Sequence, residues 1–122
     1  GDTSPMVRLD LNIKNLFFEL DTALPCGLII NELVTNSLKY AFPDSFDSRE
    51  KVIGISISKN KSGISLKVYD TGVGIPEGFE IETAPSIGLK LVLALIDQLK
   101  GTWSLNHSKG TEWKFRFPLP QK

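Results

Sequence analysis

The chain carries a single cysteine, a single histidine and a single methionine. One thiol excludes an internal disulfide framework and any cysteine-rich zinc site. Cys26 lies in an apolar helical run and reads as a small buried hydrophobe. His107 falls in a polar turn with no acidic or serine partner at a telling spacing, so it reads as a surface residue and neither a catalytic base nor part of a metal cluster. No apolar stretch approaches the ~20 residues that span a bilayer, and no signal peptide is legible at the start. Neither sign of charge dominates. Fourteen basic and fourteen acidic residues cancel, so no global field favours nucleic acid or an anionic membrane, although a local basic patch stays open. The first residue is Gly1, in keeping with a cloning remnant, and no initiator methionine precedes it; a fragment of a longer protein is expected.

What is present is ordinary in bulk: 122 residues, 41% hydrophobic and 23% charged. That fits one soluble domain, residues 1–122, burying roughly two thirds of the surface its unfolded chain exposes. The partly alternating segment Met6–Leu20 predicts one or two short strands, split near Asn12–Asn15. Asp21 or Thr22 can cap a helix over Ala23–Ala41, with Pro25 tolerated in its first turn and Phe42-Pro43-Asp44 ending it. A polar, exposed loop over Asp44–Glu50 follows. Val52–Ser58 and Ile64–Tyr69 alternate apolar positions, as strands of a sheet with one covered face do, and the glycine-bearing stretch between them reads as a hairpin turn. Residues 72–85 carry three glycines and two prolines and few regular signals. Ser86–Leu99 predicts a second helix with Ile87, Leu91, Leu95 and Leu99 in one row and Gly101 as its stop. Thr102–Leu105 and Glu112–Phe117 close the chain as a hairpin. The expected fold is α+β: a two-layer sandwich of a mostly antiparallel sheet covered on one face by helices.

Four pieces can carry chemistry. On the first helix Glu32, Asn36, Lys39 and Tyr40 share a face, because residues three and four apart are neighbours there. A carboxylate, an amide, an ammonium and a phenol suit a metal-bound polyphosphate better than packing. One oxygen from Asn36 fits the habit of Mg²⁺, which takes one or two protein groups beside water and phosphate. Glu32 can orient or deprotonate an attacking group, and Lys39 offers phosphate a point charge. The plainer reading is a solvated amphipathic face.

The second piece is Asp70-Thr71-Gly72-Val73-Gly74, an apolar strand ending in a carboxylate that needs donors if buried. An exocyclic amine of adenine is a natural one, with Gly72 and Gly74 clearing room for the ring. A strand-exit turn explains the same residues. Third, Gly88, Leu89 and Lys90 open the second helix, where free amides bind phosphate or Ser86 simply caps. Fourth, Gly110-Thr111 enters the last strand, placing a hydroxyl that can reach back towards Asp70.

In this order the pieces resemble the ATP-binding fold shared by gyrase, heat-shock chaperones, mismatch-repair ATPases and sensor histidine kinases (the Bergerat or GHKL fold). Leu24 to Pro43 looks like the histidine kinase class with a type-two dimerisation domain, related to the HWE kinases. The resemblance implies ATP and Mg²⁺ as cofactors, with Asn36 as the Mg²⁺ ligand and Glu32 as the catalytic group. Asp70 would read the adenine amine, helped by Gly72, Gly74 and Thr111, while Lys39, Tyr40, Gly88, Leu89 and Lys90 would contact the phosphates or sugar. It also implies a lid over about Ile75–Ser86, with Phe79 as the one candidate for the family's phenylalanine box.

There are departures from the pattern. The lid is short, Lys90 stands where a second glycine is usual, and neither the N-box histidine nor the Trp-x-Glu signature of HWE kinases is present. No phosphoacceptor-histidine helix is visible, so the resemblance implies the catalytic half of a histidine kinase in two-component signalling. It would transfer the γ-phosphoryl of ATP to a histidine on an upstream dimerisation domain, with a response regulator downstream, no nucleic-acid or direct membrane contact, a cytoplasmic setting and a monomeric fragment. Alternatives are a serine kinase of the anti-sigma-factor type, an ATP hydrolase of the gyrase or chaperone type, and a non-catalytic nucleotide-binding or docking module.

Overall fold

Period-two alternation in the central strands decides the architecture. A computed structural model describes residues 7–14, 17–46, 50–75 and 87–120, the side chain of Ile87 excepted. The elements are β1 (Val7–Ile13), α1 (Leu20–Asn36), a π-helical turn (Ser37–Ala41), β2 (Lys51–Asn60), β3 (Gly63–Asp70), α2 (Ile87–Gln98), β4 (Thr102–Asn106) and β5 (Thr111–Phe117). They form a five-stranded sheet in the order β1-β2-β3-β5-β4. Among the described residues only β1 and β2 pair in parallel, which requires a long crossover, here through α1. The other pairs are antiparallel. This is the mostly antiparallel α+β sandwich expected from the sequence.

On the covered face Ile55 opposes Val68, and Val68 opposes Trp113. These pack with Leu66, Phe115 and Phe117 against Cys26, Ile29 and Leu33 of α1 and Val92, Leu95 and Ile96 of α2. Ile29, Ile53 and Val92 have no solvent exposure. Burial pushes the Cys26 thiol up to about 11, because low polarity disfavours the thiolate. Leu9, Leu11 and Ile13 share this face but remain 56%, 57% and 49% exposed, since β1 is the edge strand.

Several local expectations shift. One strand, β1, replaces the possible pair, and Leu20 begins α1, with Glu19 rather than Asp21 or Thr22 as the N-cap. Pro25 therefore lies in the second turn, where its absent N–H costs one helix bond. On α2 the buried stripe is Leu89, Val92, Leu95 and Ile96; Leu91 is exposed, so the row through Leu91 is not the buried one. The helix stop also moves. Lys100 takes the left-handed conformation at φ 59°, and the N–H groups of Lys100 and Gly101 donate to Asp97 and Ile96 at 2.9 Å each. That is a Schellman cap built on a lysine, one residue before the glycine.

On the open face, a Cβ on Gly54 would collide with the Tyr69 ring. The ring lies across that glycine and its hydroxyl donates to Asp10 at 2.6 Å, fastening the edge strand β1 through the middle of β2. This hydrogen bond, then burial, raises the Tyr69 pKa. Gly27, by contrast, has nothing within 4 Å of a built Cβ. Gly27→Ala should therefore raise unfolding stability in urea by about 0.5–1 kcal/mol through helix propensity. Gly54→Ala should lower it, because the ring must move. Equal effects of the two substitutions would show that the Tyr69 contact carries no weight.

Candidate functional site

The row Ile29, Leu33, Ser37, Ala41 runs down the inner side of the first helical segment at intervals of four, and every member is buried. An α-helix drifts about 40° over four residues, since 3.6 make a turn. The wider π-helical turn over Ser37–Ala41 takes up that drift and keeps both residues facing the sheet. Such widened turns concentrate at functional sites.

The serine in this apolar row meets the end of β3. Asp70 is 5% exposed, and its carboxylate accepts the Ser37 hydroxyl at 2.7 Å and the Gly72 backbone N–H at 3.0 Å. A carboxylate has about four lone-pair sites, so two donors leave each oxygen free to accept once more. The strand exit is pinned further. The Thr71 hydroxyl donates to the Glu50 carbonyl at 3.1 Å and accepts the Val52 N–H at 3.0 Å. The Val73 N–H donates to the Ala41 carbonyl at 2.9 Å, so the end of the π-turn is tied directly to the acidic turn.

Gly72 and Gly74 each stand where backbone approaches backbone closely. A Cβ on Gly72 would run into the Ala41 carbonyl and side chain, and one on Gly74, at φ 78°, would stand 3.0 Å from the carbonyls of His107 and Gly110. Their absence of side chain lets three segments converge beside Asp70. Thr111 lies directly opposite Asp70 in the β3–β5 register, so the two share the covered face. The expected route from the final strand back to Asp70 is thus short.

Glu32 and Asn36 are half-buried and one turn apart on α1, and Asn36 immediately precedes Ser37. Among the described residues neither side chain has a hydrogen-bond partner. Lys39 and Tyr40 stand on the widened turn, exposed, Tyr40 by 70%. At the start of α2, Gly88 is half-buried and Lys90 exposed, while Leu89 is buried in the core. Of the expected lid over about Ile75–Ser86, residues 76–86, with Phe79 and the Ser86 cap, lie outside the described residues. Among the described residues no three His, Cys, Asp or Glu side chains gather to cage a metal, and no helix is long and apolar enough to cross a membrane.

Ser37 went unnoticed in the sequence. Its signal was there: a hydroxyl four residues after Leu33 and four before Ala41, in a row that is otherwise apolar.

Residues 22–121 match the family described as histidine kinase-, DNA gyrase B-, and HSP90-like ATPase. The sensor histidine kinase PdtaS of Mycobacterium tuberculosis is 29% identical over 105 residues, which cover 84% of this chain and 21% of that protein. The chain thus spans about a fifth of the length of that curated relative. The histidine kinase domain of the Erythrobacter litoralis EL346 blue-light activated histidine kinase superposes with a TM-score of 0.82 at 24% identity, over 93% of this chain and 52% of that one. The ATP binding domain of PrrB from Mycobacterium tuberculosis superposes with a TM-score of 0.70 at 21% identity, over 94% and 82%.

Ser37→Ala removes one of two protein donors to a buried carboxylate. It should destabilise the fold by about 1–3 kcal/mol in urea unfolding, with Ser37→Thr recovering part of the loss. An alanine variant as stable as the wild type would mean that Asp70 does not need the hydroxyl.

Proposed function

Because the chain belongs to the histidine kinase-, DNA gyrase B-, and HSP90-like ATPase family, we propose that it is the ATP-binding kinase half of a sensor histidine kinase, passing the γ-phosphoryl group of ATP to a histidine on an upstream dimerisation domain. The observation that carries this reading is the buried Asp70 carboxylate, fixed by Ser37 and Gly72 with acceptor capacity to spare. Adenine presents an exocyclic amine, the donor such an acceptor lacks. Guanine presents a carbonyl oxygen at the same ring position and would be repelled.

The other roles follow from position along the helix that Asp70 holds. Asn36 stands next to Ser37 with an amide oxygen unclaimed among the described residues, which fits Mg²⁺ as one hard oxygen ligand beside phosphate and water. Mg²⁺ bound there would neutralise charge on the transferring phosphoryl group. Lys39, exposed and flexible, would add a cation at the phosphates, and Tyr40 a phenol at the sugar or phosphates. The first amides of α2, at Gly88, Leu89 and Lys90, would meet phosphate oxygens. Glu32, a turn before Asn36 and with no partner among the described residues, would orient the acceptor imidazole and take its proton as the phosphoryl group arrives. The downstream partner would be a response regulator.

Calorimetric titration with ATP tests the site. Binding should strengthen with Mg²⁺, be lost in Asp70→Asn, whose amide presents a donor towards the adenine amine, and lose its Mg²⁺ dependence in Asn36→Ala. Unchanged affinity in a folded Asp70→Asn variant would remove the adenine assignment. Activity is tested with γ-labelled ATP and the longer parent protein. Acid-labile, alkali-stable labelling that Glu32→Gln slows is expected, whereas acid-stable label would mean a hydroxyl acceptor and a serine kinase.

A further inference from the structure

The open face of the sheet, opposite the helices and Asp70, concentrates positive charge that the balanced total conceals. Lys67 on β3 is directly opposite Lys114 on β5. Arg116, two residues on, shares their face and opposes Ser65 and Thr102. Directly opposed like charges weaken a sheet, so the fold itself gains nothing from this pairing. Compensation within the chain is slight. The Lys114 amine lies 3.6 Å from Glu112, and the Lys67 amine stands 5.5 Å from the Tyr69 ring centroid. Among the described residues no carboxylate pairs with Lys67 or Arg116. Between the cations, Ser56, Ser65 and Ser104 provide only short hydroxyl side chains, leaving a trough of ≈ 380 Å³.

We propose that this face is a docking surface for a short acidic segment of a protein partner. Charge complementarity sets the sign, and the dimensions set the class. Three cations on adjoining positions match two or three carboxylates, with the Arg116 fork suited to bidentate capture and the serine hydroxyls free to donate to further oxygens. Asp10 and Glu112 lie in the cross-strand row of Gly54 and Tyr69, two residues along the strands from the Lys67–Lys114 row, so a continuous polyanion such as nucleic acid following the strands would run into repulsion there. The strands β2–β5 expose no large apolar side chain, so the face lacks the apolar anchors of a membrane-binding surface. Because it lies on the far side of the sheet from Asp70, occupation of this face leaves the candidate nucleotide site open.

The test is fluorescence anisotropy with a fluorescein-labelled decapeptide of alternating glutamate and serine. Binding should weaken with salt. The double variant Lys114→Ser, Arg116→Ser should bind on the order of fivefold to tenfold more weakly, as expected for losing two exposed ion pairs. Glu112→Gln, which frees Lys114, should bind more tightly. Circular dichroism checks that both variants fold. Binding unchanged in both folded variants would overturn the proposal, as would tighter binding of an oligothymidylate of equal charge or of phosphatidylserine vesicles.

Discussion

A carboxylate taken out of water must be given donors, and Asp70 receives its donors from two different parts of the chain: the Ser37 hydroxyl and the Gly72 amide. Losing either would leave one carboxylate oxygen without its donor in a place where only 5% of the residue meets solvent, and a buried acceptor left unsatisfied costs more than a single hydrogen bond contributes. The pair therefore acts as a locating pin. It sets the end of the first helix against the end of β3, brings the Ala41 carbonyl onto the Val73 amide, and carries Asn36 to the same corner. The widened turn is the local deformation that makes this alignment possible.

The two faces of the sheet divide the molecule's tasks. One is apolar and covered, with its hydrophobic rows continued by Asp70 and Thr111 at one end, so that the candidate site is an extension of the core. The other is polar and open. There Tyr69 lies across Gly54 and reaches Asp10, holding the parallel edge strand that the helices leave bare. Further along the same face, Lys67, Lys114 and Arg116 gather where nothing in the covered layer requires them. Even the cap of α2 shows the same economy of placement: Lys100 accepts the left-handed conformation, so the chain turns one residue before Gly101.

Much of this was legible in one dimension. The alternation in Val52–Ser58 and Ile64–Tyr69 gave both strands and their covered face, because a strand has a period of two and burial writes that period into the residues. The order of Glu32 to Tyr40, Asp70 to Gly74, Gly88-Leu89 and Gly110-Thr111 pointed to the ATPase family before any contact was known. Helix details were less legible. The row Ile87, Leu91, Leu95, Leu99 and the stripe Leu89, Val92, Leu95, Ile96 have similar helical spacing in an almost wholly apolar segment. Only the position of the sheet chooses between them. A proline near a helix start looks the same in its first turn or its second, and the N-cap fell on Glu19, which has no capping preference.

By itself the sequence determined most of the element types, the sidedness of the sheet and the order of the motifs that match the ATPase family, since each depends on local periodicity or on residue chemistry. Tertiary structure alone decided what those residues touch. That Gly72 makes room for the Ala41 carbonyl, that Ser37 donates to Asp70, and that Lys67 faces Lys114 on the adjacent strand are matters of register and distance. They join residues separated by tens of positions in the chain, and the physical terms that fix them, close packing and the need to satisfy a buried charge, act through space.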